Sequence, residues 1–372
     1  MRRHAPSPSL GQIAAEAGVS RAAVSMALRN HPRIPPETRQ RIQLIATRLG
    51  WKPNPLLAEA MSAIRAGQPP ADRVTLAWLT AHPRRDTWRR IPFFRRCFEG
   101  AEARAAGAGY HLEHFWLGDA DGSAGRLGDI LLARGITGVV ISPLPAPTSF
   151  ALPWDQLSAV AVAYTLTAPR LHRAADNHYH SARLAVRHLR AAGRHRIALA
   201  ISADYDRRVN GLWTAGYLQQ MHATGTTDHA LLYLPEDLRE TALLAWMRSA
   251  RPDAIIGTDP RIPQWLRRAG LRLPHDIAYA DLDLPAPDGD LAGIYQDAPG
   301  IGACAIDLLA GQLLRHERGL PETPKILMIE SRWADGATAP ATPPAVRAQL
   351  DEPEPIAGQP RPVLPSRPVP FD

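Results

Sequence analysis

The sequence predicts an all-α headpiece followed by a larger α/β body with parallel sheets. Three observations predict this. Two short helical stripes flank a glycine near the front of the chain. All of the net charge gathers in the same region. Behind it, short apolar runs alternate with segments of helical period over more than two hundred residues.

The front stretch, Leu10 to Asn30, reads LGQIAAEAGVSRAAVSMALRN. Leu10, Ile13, Ala14 and Ala17 recur at i, i+3, i+4 and i+7, the stripe of an amphipathic helix. Ser9 with Gln12 three residues later has the form of a capping box. Gly18 stands where that helix stops, a place that favours positive φ. Ser20 can cap a second helix that turns Ala23, Val24, Ala27 and Leu28 inward and leaves Arg21, Ala22, Ser25, Met26 and Arg29 outward. Two short helices joined through a glycine make a helix-turn-helix, whose second helix enters the major groove of DNA. Pro36 opens a third helix at its first position, with Ile42, Ile45, Ala46 and Leu49 as its stripe, Gly50 as its stop and Trp51 closing the small core. Asn54 and Pro55 then cap a short helix that runs to about Arg65 and breaks at Gly67.

The formal charge is +7. Residues 1–66 contain ten Arg and Lys against three Asp and Glu, and the remainder is balanced at 33 of each sign. Codon bias explains why only Lys52 and Lys325 are lysine, but it does not explain this asymmetry. A basic front on a neutral body is the electrostatic footprint of a nucleic-acid binder. The two cysteines, Cys97 and Cys304, are far apart in apolar surroundings and read as inert thiols. There is no apolar run of membrane-spanning length, and no apolar stretch follows Arg2 and Arg3. The expectation is a cytoplasmic chain with no membrane contact.

In the body, Val74–Leu79, His111–Trp116, Gly138–Ile141, Val160–Ala163, Arg196–Ala200, Ala230–Tyr233, Ala254–Gly257 and Ile277–Ala280 read as strands. Phe94–Ala108, Leu127–Arg134, Ser181–Ala192, Asn210–His222, Glu240–Ser249, Pro263–Ala269 and Ile301–Glu317 read as helices between them, and Lys325–Ile329 as the last strand. This order predicts parallel sheets covered on both faces, with ligands at the carboxyl ends of the strands. The domain reading is a headpiece over 1–52, a hinge helix and linker over 53–71, a two-lobed body over 72–339, and a Pro-rich disordered tail over 340–372.

The blocks IAAEAGVS, VSMALRNHPRIPPETRQRI and LGWKPNP, with their spacing, resemble the headpiece and hinge of the LacI/GalR (lactose-repressor) family of bacterial regulators. The body is similar, more loosely, to that family's periplasmic-binding-protein-like effector domain. Pieces that carry this likeness are Ile91-Pro92-Phe93-Phe94, Asp176-Asn177, Gly193-Arg194-His195-Arg196-Ile197, Gly216-Tyr217, Pro252-Asp253-Ala254 and Gly270 to Pro274. The resemblance implies a homodimer on a pseudo-palindromic double-stranded operator, with hinge helices paired in the minor groove and a small-molecule effector, sugar-like or a related metabolite, between the lobes. On DNA it implicates Ser20, Arg21, Ala22, Ser25, Met26, Arg29 and Asn30 from the second helix, and Asn54, Ala60 and Met61 from the hinge. Arg2, Arg3, Arg33, Arg39 and Lys52 are the expected phosphate contacts. For the effector it implicates Phe93, Phe94, Asp176, Arg207, Trp213, Asp259 and Asp283.

Three departures carry meaning. The family has Arg where this chain has Met26, which would make that base contact apolar. The hinge wedge, a leucine in the family, falls on Ala60 with the bulkier Met61 one place on. A cleft arginine is replaced by Trp213, which implies a less anionic, more stacking-based ligand, or none.

Other signals are weaker. His178-Tyr179-His180 and His111 with His114 lack companion ligands for a metal. Asp281, Asp283, Asp288 and Asp290 lack the closing Glu of a calcium loop. No nucleophile elbow, phosphate loop or dinucleotide fingerprint is present, so neither catalysis nor a cofactor is expected. Two other readings stand beside the regulator: a cytoplasmic ligand-binding protein whose front helices only pair copies, and a constitutive repressor without an effector.

Overall fold

The computed structural model describes residues 10–28, 34–49 and 74–351. Helices α1 (Leu10–Ala17), α2 (Arg21–Leu28) and α3 (Pro36–Arg48) form the headpiece. Gly18 takes φ +64° between the first two, where an L side chain would be strained. Ser20 caps α2: its Oγ accepts the Ala23 N–H at 3.1 Å. Ile13, Val24, Ala27, Ile42 and Ala46 form the buried centre, joined by Ile34 from the loop before α3. Met26 packs in part against this core rather than facing wholly outward. Arg48 pairs with Glu16 across α3 and α1. Ser9, Gly50, Trp51 and the expected hinge helix lie outside the described residues.

The body contains two six-stranded sheets. The first lobe orders β13-β7-β5-β3-β1-β2, built from β1 (Val74–Thr80), β2 (Tyr110–Trp116), β3 (Gly138–Ile141), β5 (Ser158–Val162), β7 (His172–Asp176) and β13 (Ile326–Ile329), all parallel. The second lobe orders β14-β12-β11-β10-β8-β9, from β8 (Ile197–Ala200), β9 (Leu232–Tyr233), β10 (Ala254–Gly257), β11 (Ala278–Asp281), β12 (Ala292–Tyr295) and β14 (Arg332–Ala334). Here β14 runs antiparallel to β12. A short pair, β4 (Thr148–Ser149) with β6 (Leu166–Ala168), flanks the first lobe. The central strands β3, β5, β8, β10 and β11 are buried throughout, because helices cover both faces and a parallel strand then has no solvent side.

The first lobe is covered by α4 (Pro92–Gly107), α5 (Ala124–Ala133) and α11 (Ala298–Arg315). Where α4 and α11 cross, a Cβ on Gly302 would sit 1.9 Å from the Cys97 carbonyl oxygen, and one on Gly100 2.1 Å from that of Pro299. Only glycine permits this approach. The second lobe is covered by α6 (His178–Ala191), α7 (Ala203–Arg208), α8 (Leu212–Ala223), α9 (Glu240–Ala250) and α10 (Ile262–Arg268). Alternation of strand and helix, and most element positions, follow the sequence expectation. The strands β4, β6, β7, β12 and β14, each short, and helix α7 are additions to that expectation.

Residues 340–351 differ from the expected tail. Thr342 Oγ1 lies 3.0 Å from His188 Nδ1. Helix α12 (Pro344–Asp351) sends Arg347 to the Asp335 carboxylate at 2.9 Å and to the Trp333 carbonyl at 2.7 Å. Prolines obscure this segment in the sequence because its order comes from docking on α6 and β14, not from a stripe of its own. Residues 352–372 lie outside the described residues.

The chain passes between the lobes after β7, after β12 and after β13. At these passages Asn177 N–H donates to the Ile329 carbonyl at 2.8 Å. Asp176 accepts from Ser181 Oγ at 2.7 Å and from Ser331 Oγ.

Candidate functional site

On the headpiece, Ser20, Arg21 and Ala22 are exposed at the start of α2, and Ser25 and Met26 are half-buried one turn on. The Ser20 cap fixes where the helix begins and so which residues share its outer face. Arg21 lies against α1, since a Cβ on Gly11 would sit 2.7 Å from its Nη2. Arg39 is partly committed, donating to the Ile34 carbonyl at 3.0 Å. Arg29, Asn30, Arg33, Lys52, Asn54, Ala60 and Met61 lie outside the described residues.

A cavity of about 350 Å³ opens between the lobes, the lower end of the size range of small-molecule sites. The first lobe contributes His82, Phe93, Phe94 and Thr165; the second contributes Tyr205, Arg208, Trp213 and Asp283; His178 and Gln296 come from the passages between them. Phe93 and Phe94 are placed by Pro92, which starts α4 right after the loop that leaves β1. Trp213 packs edge-on against His178, with ring centres 5.0 Å apart, and Tyr205 stacks on it at 6.5 Å. His82 packs against Phe94 at 5.3 Å.

Four effector expectations therefore converge on this cavity: Phe93, Phe94, Trp213 and Asp283. Three do not line it. Asp176 is spent on the serines that tie the lobe passages. Asp259 is gripped by Arg261 at 2.6 Å. Arg207 points to Glu236 at 2.9 Å and is 54% exposed. Arg208 takes its place. Ser202 Oγ accepts the Tyr205 N–H at 3.2 Å and so fixes the start of α7. Counting from that cap puts 205, 208 and 209 on one face, at helical spacing, with 207 turned away. The serine cap is the signal that separates the two arginines.

Arg208 spans the cleft. It donates to the Leu144 carbonyl at 3.3 Å and also to that of Pro145. On the other side Arg96 of α4 donates to the Leu284 carbonyl at 3.3 Å and lies over the Tyr295 ring at 4.6 Å. Burial pushes the Asp283 carboxyl up to about 6, with Arg96 and His178 opposing. Burial pushes Asp281 up to about 7, against the Tyr279 hydroxyl and Asp283 N–H that it accepts at 2.7 and 2.8 Å. Burial also lowers His82, and Arg208 adds to that lowering.

His114 pairs with Thr80 Oγ1 at 2.7 Å, and burial lowers it to about 4. Asp288 and Asp290 are exposed. Among the described residues no group of three metal-ligating side chains comes together, and no helix is long and apolar enough to cross a membrane. Burial raises the Cys97 thiol far above its ordinary value.

The family model described as bacterial regulatory proteins, lacI family, matches residues 9–54, and that of a periplasmic binding protein-like domain matches 186–337. No curated protein sequence matches the chain. Among solved structures, a transcriptional regulator CelR–cellobiose complex shares 20% identity over 89% of this chain and 100% of its own, with TM-score 0.54. A lac repressor dimer bound to operator and the anti-inducer ONPF shares 17% over 90% and 100%, with TM-score 0.51. A LacI transcriptional regulator from a Rhodococcus species shares 20% over 72% and 99%, with TM-score 0.54. These likenesses carry the fold: a helical front, then two parallel-sheet lobes around a cleft. The model of lacI-family regulatory proteins thus covers the helical front of the chain, and that of the periplasmic binding protein-like domain covers residues 186–337 of the body.

Proposed function

We propose that this protein is a DNA-binding transcriptional regulator, a repressor in its ground mode, that reads a pseudo-palindromic operator as a homodimer and answers to a small organic effector held between its lobes. The observation that carries this is the cavity itself: side chains of both lobes line it, so whatever fills it biases how the lobes sit. The basic front supplies phosphate attraction, and α2 presents Arg21, Ala22 and Ser25 for reading base edges. Residues 53–71 serve as hinge and linker, and paired hinges transmit lobe position to the operator. The similar structure that holds cellobiose supports a sugar or related metabolite as the effector.

The test is selection of bound sequences from random duplex DNA by the full chain and by a chain lacking residues 1–66. The full chain should enrich a palindromic site, with a steep loss of affinity as salt rises. The truncated chain should stay folded and enrich nothing. Retention of sequence preference without residues 1–66 refutes the headpiece assignment. Arg21→Ala should cost ~1–3 kcal/mol and relax one position of the site if that residue makes a bidentate base contact.

A further inference from the structure

We infer that the open edge of the first-lobe sheet, strand β13, docks on β13 of a second copy of this chain, antiparallel about a two-fold axis that passes by Leu327. Among the described residues β13 ends its sheet and pairs only with β7. That pairing is regular from Ile326 to Ile329, with no bulge to turn the edge away. The Lys325 carbonyl accepts the Arg173 N–H at 2.9 Å, and the Ile329 carbonyl accepts the Asn177 N–H at 2.8 Å. Backbone groups alternate in direction along a strand, so those of Ile326 and Met328 point away from β7. The side chains of the same two residues share one face and are 50% and 43% exposed. Two of the seven exposed large apolar side chains among the described residues thus lie on one four-residue strand.

An open edge is a template for a further strand, and folded chains blunt it with charge, proline or brevity. The other edges of the two large sheets follow that rule. β2 carries His111, Glu113 and His114, and Glu113 pairs with Arg134 at 2.8 Å. β9 has two residues; β14 has three and opens on Arg332. β13 reads Ile-Leu-Met-Ile, with neither charge nor proline inside it.

The strand is complementary to itself. With Ile326 opposite Met328 of the second copy, the outward N–H and carbonyl groups of both residues exchange hydrogen bonds. Leu327 then meets its own copy at the axis, and the exposed apolar side chains of each strand cover those of the other. An axis normal to the sheet keeps each face on its own side, so residues two apart can oppose one another and adjacent residues cannot. Charge selects the direction. Lys325 precedes the strand and Glu330 follows it, both exposed. Antiparallel pairing brings Lys325 of one copy to the end that holds Glu330 of the other, whereas parallel pairing sets like beside like. The chain's own tail fits the edge poorly: seven of residues 352–372 are proline, which cannot donate to a ladder. A ladder this short buries well under the roughly 1,200–2,000 Å² of a standard interface. The contact therefore forms as concentration rises, or between copies already held close.

The experiment is sedimentation velocity of the full chain over a range of concentrations, read as the mass of the largest species. Met328→Lys, at an exposed position, should halve that mass or raise the concentration at which it forms about tenfold or more, because a two-fold contact meets each substitution twice. Its melting temperature in dilute solution should match wild type. A homodimer held by another face leaves the ratio of the two masses at two, so the result does not depend on how the chain binds DNA. Lys325→Glu and Glu330→Lys should each weaken the association by setting like charges together, and the double exchange Lys325→Glu/Glu330→Lys should restore it. Equal masses for wild type and Met328→Lys at every concentration overturn the inference. A double exchange that stays weak overturns the antiparallel pairing. Association that strengthens when residues 352–372 are removed puts the tail on this edge and overturns the inference as well.

Discussion

Arg208 of the second lobe donates to the backbone carbonyl of Leu144 in the first lobe, 3.3 Å away, across the mouth of the cavity. It donates to Pro145 in the same way. Arg96 makes the reciprocal reach from the first lobe to Leu284. Each strap joins a fixed charge to a carbonyl dipole, so neither depends on the protonation of its partner. Together they set how far apart the lobes stand.

Cutting one strap should loosen the cleft. Arg208→Ala removes hydrogen bonds to charge worth roughly 1.5–3 kcal/mol in total. The expected result is a larger radius of gyration in small-angle scattering without ligand and a lower melting temperature. Arg208→Lys should restore only part of this, because a single ammonium cannot fork onto two carbonyls. Scattering that is identical for wild type and Arg208→Ala would remove Arg208 as a strap.

The buried Asp281 gives the body a definite pH response. Its folded pKa, about 7, stands above the unfolded value near 4. The folded state therefore binds the proton more tightly, and stability falls as pH rises from about 4 to 7. Asp281→Asn should remove this slope and stabilise the protein at pH 8 by a few kcal/mol, since each tenfold difference in proton affinity between the two states is worth roughly 1.4 kcal/mol. The Tyr279 hydroxyl keeps a partner, the Asp259 carbonyl at 3.0 Å. Denaturant melts at pH 5 and pH 8 measure it; equal slopes for wild type and variant would contradict the burial argument.

Two alanine substitutions on glycine should have opposite signs. At Gly302 the new methyl meets the Cys97 carbonyl oxygen at 1.9 Å, and backbone cannot yield as a side-chain tip does. The loss should be at least about 1–3 kcal/mol, the usual cost of overpacking. At Gly107, the last residue of α4, nothing lies within 4 Å, so Ala should be neutral or stabilise by up to ~1 kcal/mol. Melting temperatures of the pair decide whether the α4–α11 crossing demands glycine.

Removing residues 341–372 should destabilise the second lobe. Thr342 holds Nδ1 of His188, whose ring stacks on Trp333 at 4.4 Å, and Arg347 ties α12 to Asp335 and Trp333. Truncation leaves that stack facing water. Stability should drop by roughly 0.5–1.5 kcal/mol for each of these hydrogen bonds lost, with Trp333 fluorescence shifted to the red. An unchanged melt would show α12 to be ornamental.

Much of the architecture is legible in the sequence because its signals are local. A parallel strand covered on both faces must be a continuous apolar run, and Gly138–Ile141 and Ala254–Gly257 have the bounds that their apolar runs predict. The strands that the apolar pattern does not mark, His172–Asp176 and Ala292–Tyr295, end at the lobe passages, where polar or charged residues interrupt the run. Arg332–Ala334 is too short to show a period. Of the candidate site, the aromatic residues are legible because size and apolarity mark them in any context.

What the sequence determined by itself was the headpiece and the order of elements. The Ser20 cap, the turn at Gly18, the proline opening α3 and the apolar period each act within a few residues, so nothing distant can revoke them. What only the tertiary structure decided was the role of each charge. Asp176, Asp259 and Asp283 look alike in the chain. Packing ties the first to Ser181 and Ser331, gives the second to Arg261, and leaves the third open to the cavity. One residue of helical rotation sends Arg208 across the cleft and Arg207 to Glu236. A carboxylate or a guanidinium takes its function from what desolvates and hydrogen-bonds it, and those neighbours come from distant segments: Ser331 is 155 residues from Asp176, and Leu284 is 188 from Arg96.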